Sequence, residues 1–186
     1  MAYMKNPPPK VVAQDKTKFH CWAASLESWI DARKPPTPQA AMTKTQAELI
    51  SSYKDFTGAK DGLMIGKAMV QLMFDFQMML DLHKPATKAI TAQSILNRLM
   101  MKSYLWLFYL GGAGLGTFLG HAEVIYGIDG FGADAKLRVM DPWDGKLSLL
   151  PLSELNGRDT VFVCWYENSP NWSDDMFRIM KAMSKT

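Results

Sequence analysis

The chain has 186 residues, enough for one domain with a sizeable core and tight for two. Its 48% hydrophobic and 21% charged content excludes a disordered chain outside the two ends. The formal net charge of +3 is spread along the sequence with no basic block interleaved with aromatics, so nucleic acid is not an expected partner.

Residues 1–13 read as an extended arm. MAYMKNPPPK has no apolar run and therefore no secretory signal, and Pro7-Pro8-Pro9 prevents helix. From Cys21 the pattern turns helical: Trp22, Leu26, Trp29 and Ile30 fall on one face, and Pro35-Pro36 and Pro38 end it. A shorter helix is predicted over 43–53. Asp61 is the expected N-cap of the next, with Met69, Leu72, Met73, Phe76, Met79 and Leu80 as its apolar stripe. Residues 92–101 form a further helix with Ile95, Leu96, Leu99 and Met100 on one side. Then strands are predicted at 104–110, 121–128, 137–140, 146–150 and 161–166, separated by Gly, Asp and Pro. A C-terminal helix is predicted over 173–183. A helical part, about 14–102, thus precedes a β part, about 103–186. That order implies an α+β domain with helices segregated to one side of an antiparallel sheet. Tyr104–Leu110 is too short to cross a bilayer, so no membrane insertion is expected.

Two cysteines make no disulfide framework, and both read as free thiols, which suits a cytosolic site of action. Cys164 lies in the apolar run Val161–Tyr166. Cys21 instead follows a polar stretch and opens a helix, where backbone N–H groups and the helix dipole favour a negative sulfur. Its ordinary structural reading is a small buried hydrophobe. Gln14, seven residues upstream, is either a solvated loop residue or a side-chain donor to an oxyanion, with the Cys21 N–H as second donor. Among the three histidines, His121 opens a strand after a glycine-rich loop and is the best base. His20 adjoins Cys21 in sequence and diverges from it; His83 reads as a helix C-terminal residue beside Lys84-Pro85. Asp141 in Val139-Met140-Asp141-Pro142-Trp143 ends a strand and would fix the imidazole tautomer, or else simply serve the turn. No spacing matches zinc ligands, and Gly112-Ala113-Gly114 fails the dinucleotide fingerprint because residue 117 is Thr117. No metal and no cofactor is expected.

The ordered set Gln14, Cys21-Trp22-Ala23-Ala24-Ser25, Gly120-His121-Ala122 and Asp141-Pro142-Trp143-Asp144-Gly145 resembles the papain-like cysteine proteases. It is most similar to their compact bacterial branch with a Cys-Trp-Ala-Ala motif, which includes effector proteases and is related to bacteriocin-processing peptidases. The resemblance implies a papain-like α+β fold with a cleft between a helical and a β part. It implies Cys21 as nucleophile, His121 as base and then acid, Asp141 as orienter and Gln14 in the oxyanion hole. Trp22, Gly120 and Trp143 are candidates for the substrate cleft. The chain departs from the family in its seven-residue Gln-to-Cys spacing, where six is usual, and in Asp141 where larger members carry Asn.

The expected activity is protein cleavage through an acyl-enzyme, by a monomer without cofactor. Amidase, deamidase or acyltransferase chemistry on the same fold, or a non-catalytic binding module, are the alternatives. Only 20 residues precede Cys21, so a separate inhibitor or immunity protein is expected rather than a pro-segment. A toxin or effector role follows, in the cytoplasm or delivered by a specialised secretion system, with a catalytic domain cut from a longer delivery protein as the alternative origin of the chain.

Overall fold

A computed structural model describes residues 2–33, 44–101, 104–111 and 120–167. The predicted C-terminal helix, the prolines after residue 34 and most of the glycine run lie outside these residues.

One antiparallel sheet organises the chain. Its strands are β1 (Ala2–Met4), β2 (Met78–His83), β3 (Leu105–Leu110), β4 (Gly120–Asp129), β5 (Lys136–Asp141), β6 (Lys146–Pro151) and β7 (Thr160–Tyr166). The order is β2-β7-β3-β4-β5-β6. Beyond the end of β3, β1 takes the same side of β4, pairing Ala2 with Asp129 and Met4 with Gly127. The expected arm therefore begins as a sheet strand.

The strands alternate faces, and each face carries its own core. Trp106, Phe108, Ala122, Val124, Met140, Phe162 and Cys164 meet α1 (Cys21–Arg33), α2 (Gln46–Ser52) and α3 (Ile65–Phe76). On the other face Leu107, Ile125, Val139, Val161 and Val163 meet α4 (Ala92–Met101) and α5 (Leu152–Asn156). The α+β class stands, but the helices occupy both faces. The order of elements along a chain does not say which side a connecting helix takes.

Helix α1 is buried nearly all round, not along one stripe. Small residues let it pass close under the sheet: Ser25 accepts a hydrogen bond from Trp106 Nε1 at 2.8 Å, and Ser28 donates to the Lys10 carbonyl at 2.6 Å. Trp29 Nε1 donates to the Tyr104 carbonyl at 3.0 Å. Full burial of Trp22, Leu26 and Trp29 makes this helix the anchor of its core, at roughly 1.5–3 kcal/mol for a large apolar side chain.

Two expectations fail in the next segment. Asp61 does not cap α3; Met64 holds that position, and Asp61 sits in a left-handed turn (φ 59°) where His20 and Lys18 engage its carboxylate. Nor does the Met-rich stripe continue as helix. Gln77 takes a left-handed conformation (φ 49°) and closes α3, and Met79, Leu80 and His83 belong to β2, paired with β7. His83 is therefore a strand residue opposite Val161. Met100 is 60% exposed and lies off the buried face of α4. Among the described residues no helix is long and apolar enough to cross a membrane.

Candidate active site

Cys21, His121 and Asp141 come from three elements and meet in one cleft of about 320 Å³. Cys21 is the first residue of α1, 6% exposed, with Sγ 3.9 Å from the Gly120 carbonyl. The helix start is held by the loop before α3: Phe19 N–H donates to the Lys60 carbonyl at 2.9 Å, and Trp22 Nε1 to the Asp61 carbonyl at 3.0 Å. His20 turns to Asp61 at 3.2 Å, away from any part in the cleft chemistry. Cys21 and Cys164 are both free thiols. Burial pushes the Cys164 thiol well above the usual range, which makes it inert.

Gly120 and His121 open β4 opposite Leu110 and Tyr109 of β3. A side chain on Gly120 would meet Phe108 Cζ at 2.6 Å and Leu110 at 2.9 Å. Phe108 is buried among aromatic rings and has no room to yield. Gly120→Ala is expected to lower stability by about 1–3 kcal/mol, read in a thermal melt, and to slow turnover by displacing His121.

His121 Nε2 and Asp141 Oδ1 are 2.9 Å apart, at the end of β5. The Trp143 N–H donates to the same carboxylate oxygen at 2.8 Å, which fixes its direction. With Nε2 occupied, Nδ1 is the ring atom left for the Cys21 side, and Cys21 is among the groups that favour the charged ring. Burial is the largest influence on His121 and opposes its charge. The Asp141 bond, then Cys21 and Glu123, outweigh burial and raise the imidazolium to about 10. Burial likewise opposes ionisation of Asp141, but the His121 bond holds its carboxyl below the ordinary value.

Gln14 is brought in from the N-terminal segment. Its N–H donates to the Pro142 carbonyl at 2.9 Å, and Ala13 packs against Gly145, whose positive φ (59°) closes the turn after Asp141. Between Gln14 and Cys21 the chain makes a turn in which the Lys18 N–H donates to the Asp15 carbonyl at 3.1 Å. Gln14 Nε2 gives one N–H to the Lys18 carbonyl at 3.3 Å, leaving the second for the cleft.

Of the cleft candidates, Gly120 and Trp143 line it. Trp22 does not: it is fully buried in the α1 core, because the helical turn carries its side chain away from that of Cys21. Phe19 and Tyr109 form walls not foreseen from sequence. Tyr109 packs edge-on to His121 at 5.8 Å, as cross-strand register dictates. Glu123 was also missed, although the two-residue strand period places it on the His121 face. Its side chain is buried, with Oε1 4.0 Å from His121 Nε2.

His121, Glu123 and Asp141 offer ligand atoms within 4.8 Å of one another. We assign no cation to them, because Nε2 already carries the Asp141 hydrogen bond and Glu123 is sealed from the cleft.

The arrangement can hold a thiolate–imidazolium pair at a helix start, with donors beside it and a ring oriented from behind. No curated protein matches the chain. Solved structures that resemble it include procathepsin B S9 from Trypanosoma congolense, with TM-score 0.55 and 15% identity, covering 87% of this chain and 74% of that one. A mite-allergen structure, from work on antibody cross-reactivity between Blo t 1 and Der p 1, gives TM-score 0.55 at 9% identity, covering 88% and 71%. A family model for the papain-like cysteine protease AvrRpt2 matches residues 5–158. The chain belongs to that family and is a papain-like cysteine protease.

Proposed function

We propose that the chain is an endopeptidase that cleaves protein substrates through a covalent acyl-enzyme on Cys21. The observation that carries this reading is the convergence of Cys21, His121 and Asp141 on one cleft, with 2.9 Å between His121 Nε2 and Asp141 Oδ1. Cys21 Sγ, as thiolate, forms a bond to the scissile carbonyl carbon while His121 remains an imidazolium. The Cys21 N–H and the second Gln14 N–H receive the oxyanion. Collapse breaks the C–N bond, and His121 Nδ1 gives its proton to the leaving amine. Neutral His121 then takes a proton from water, the hydroxide displaces sulfur, and the carboxylic product leaves. Asp141 keeps Nε2 protonated throughout, so Nδ1 is always the atom that exchanges the proton.

Denatured cell proteins offered to wild type and to Cys21→Ala test this. New N-termini that arise only with wild type support cleavage; equal sets would remove it. Gln14→Ala is expected to lower kcat by roughly 10²–10³-fold, with KM and the alkylation rate of Cys21 little changed. A change in KM alone would place Gln14 in substrate binding instead.

The same reading extends to a bacterial toxin or effector, delivered by a specialised secretion system into a target cell and restrained by a cognate inhibitor protein. It is supported by the resemblance of Cys21-Trp22-Ala23-Ala24 to the compact bacterial branch. Expression in a candidate target cell should be harmful with wild type and harmless with Cys21→Ala. Harm from both would separate toxicity from proteolysis.

A further inference from the structure

Glu123 has no part in the acyl-transfer steps, yet no other buried carboxyl among the described residues lies so close to them. It is 3% exposed, with Oε1 4.0 Å from His121 Nε2, and its Oε2 is buried without a hydrogen-bond partner. The charged and titratable groups around it are His121 on its own strand, Asp141 on β5, Tyr109 on β3, Glu154 on α5 and Arg158 just beyond. Arg158 does not pair with it: its guanidinium reaches Glu154 and the Gly111 carbonyl and lies 4.7 Å over the Tyr109 ring. His121 is thus the cation with which Glu123 interacts most directly.

We propose that Glu123 is a positioning residue for the Cys21–His121 pair, a second carboxyl behind Nε2 whose ionisation extends the alkaline range in which His121 stays protonated. The inference rests on His121 acting as proposed above. Burial, the largest influence, pushes the Glu123 carboxyl up to about 8, opposed by His121 and Arg158 and aided by Asp141 and Glu154. His121 holds its proton to about 10. Glu123 is therefore neutral on the acid side and gains its charge just where His121 would begin to lose its proton. Attraction between opposite charges this close raises an imidazole by about 1–3 pH units.

Two measurements test this. In Glu123→Gln, the alkaline limb of kcat/KM should move down by about one pH unit while the acid limb stays in place. In wild type, the ring NMR signals of His121 should show a first inflection near pH 8, from Glu123, before their own near 10. That measurement needs no variant and decides the matter if Glu123→Gln fails to fold. An unmoved alkaline limb in folded Glu123→Gln, or a single His121 inflection in wild type, would overturn the proposal. Should His121→Ala keep full activity, the triad reading itself fails; an inactive His121→Ala with an unmoved limb removes only the role of Glu123.

Discussion

Cys21→Ala is expected to lower peptide turnover by roughly 10⁴-fold or more while leaving the protein folded. Sulfur is the atom that bonds to the acyl group, and among the described residues no other nucleophile stands in its place. The second thiol, Cys164, is fully buried in β7 with its ionisation suppressed, so it offers no substitute. The fold should tolerate the change. Alanine is the best helix former, the site is at the rim of the α1 core, and only one heavy atom is removed. A melting temperature within a few degrees of wild type is expected, since about 1 kcal/mol moves a domain of this size by about 2–4 °C. Kinetics with a fluorogenic peptide and a thermal melt check both halves. Retained turnover would remove the covalent mechanism.

Asp141→Ala should cost roughly 10²–10⁴-fold in kcat, and Asp141→Asn less, because the larger papain-like enzymes carry Asn as their third member. The carboxylate does two separable things. Its Oδ1 accepts from His121 Nε2 and from the Trp143 N–H, which orients the ring. The hydrogen bond it accepts as a carboxylate is, after the opposing effect of burial, what chiefly lifts His121 to about 10. Asparagine keeps an oxygen for both hydrogen bonds and loses only the charge, so its activity should fade at lower pH than wild type. Alanine loses both, and the buried imidazole then titrates downward towards the neutral form. The same shift appears in stability. His121 titrates near 6.5 when unfolded and near 10 when folded, so the native state holds the extra proton in between. Its stabilising contribution is complete below 6.5 and is lost as pH rises through 10. Asp141→Ala should flatten that alkaline decline in a pH series of chemical denaturation. An unchanged decline would mean that Asp141 does not control His121.

Much of this was legible because strong local patterns agree with the fold. The Trp22, Leu26, Trp29 spacing located α1, and the aromatic and β-branched runs located β3 to β7. The failures have physical causes. Met78–His83 is rich in Met and Leu, follows a helix without Gly or Pro, and becomes a strand only because it pairs with β7. Asp61 looked like a cap, but its carboxylate is drawn to His20 and Lys18, residues distant in sequence. Trp22 adjoins the nucleophile in sequence, yet a helix turns about 100° per residue and carries it into the core. Glu123 stood in plain view two positions past His121. Only the packing of β3, β5 and α5 around it shows that its carboxyl is buried.

The central claim is that Cys21 and His121 act as one activated pair, and covalent labelling tests it most directly. Wild type and His121→Ala would be treated with a thiol-reactive epoxide inhibitor of papain-like enzymes, and the modified peptides mapped by mass. Fast modification of Cys21 in wild type, lost in His121→Ala, with Cys164 untouched in both, is the predicted result. Slow and equal modification of Cys21 in the two proteins would contradict it and leave Cys21 an ordinary thiol.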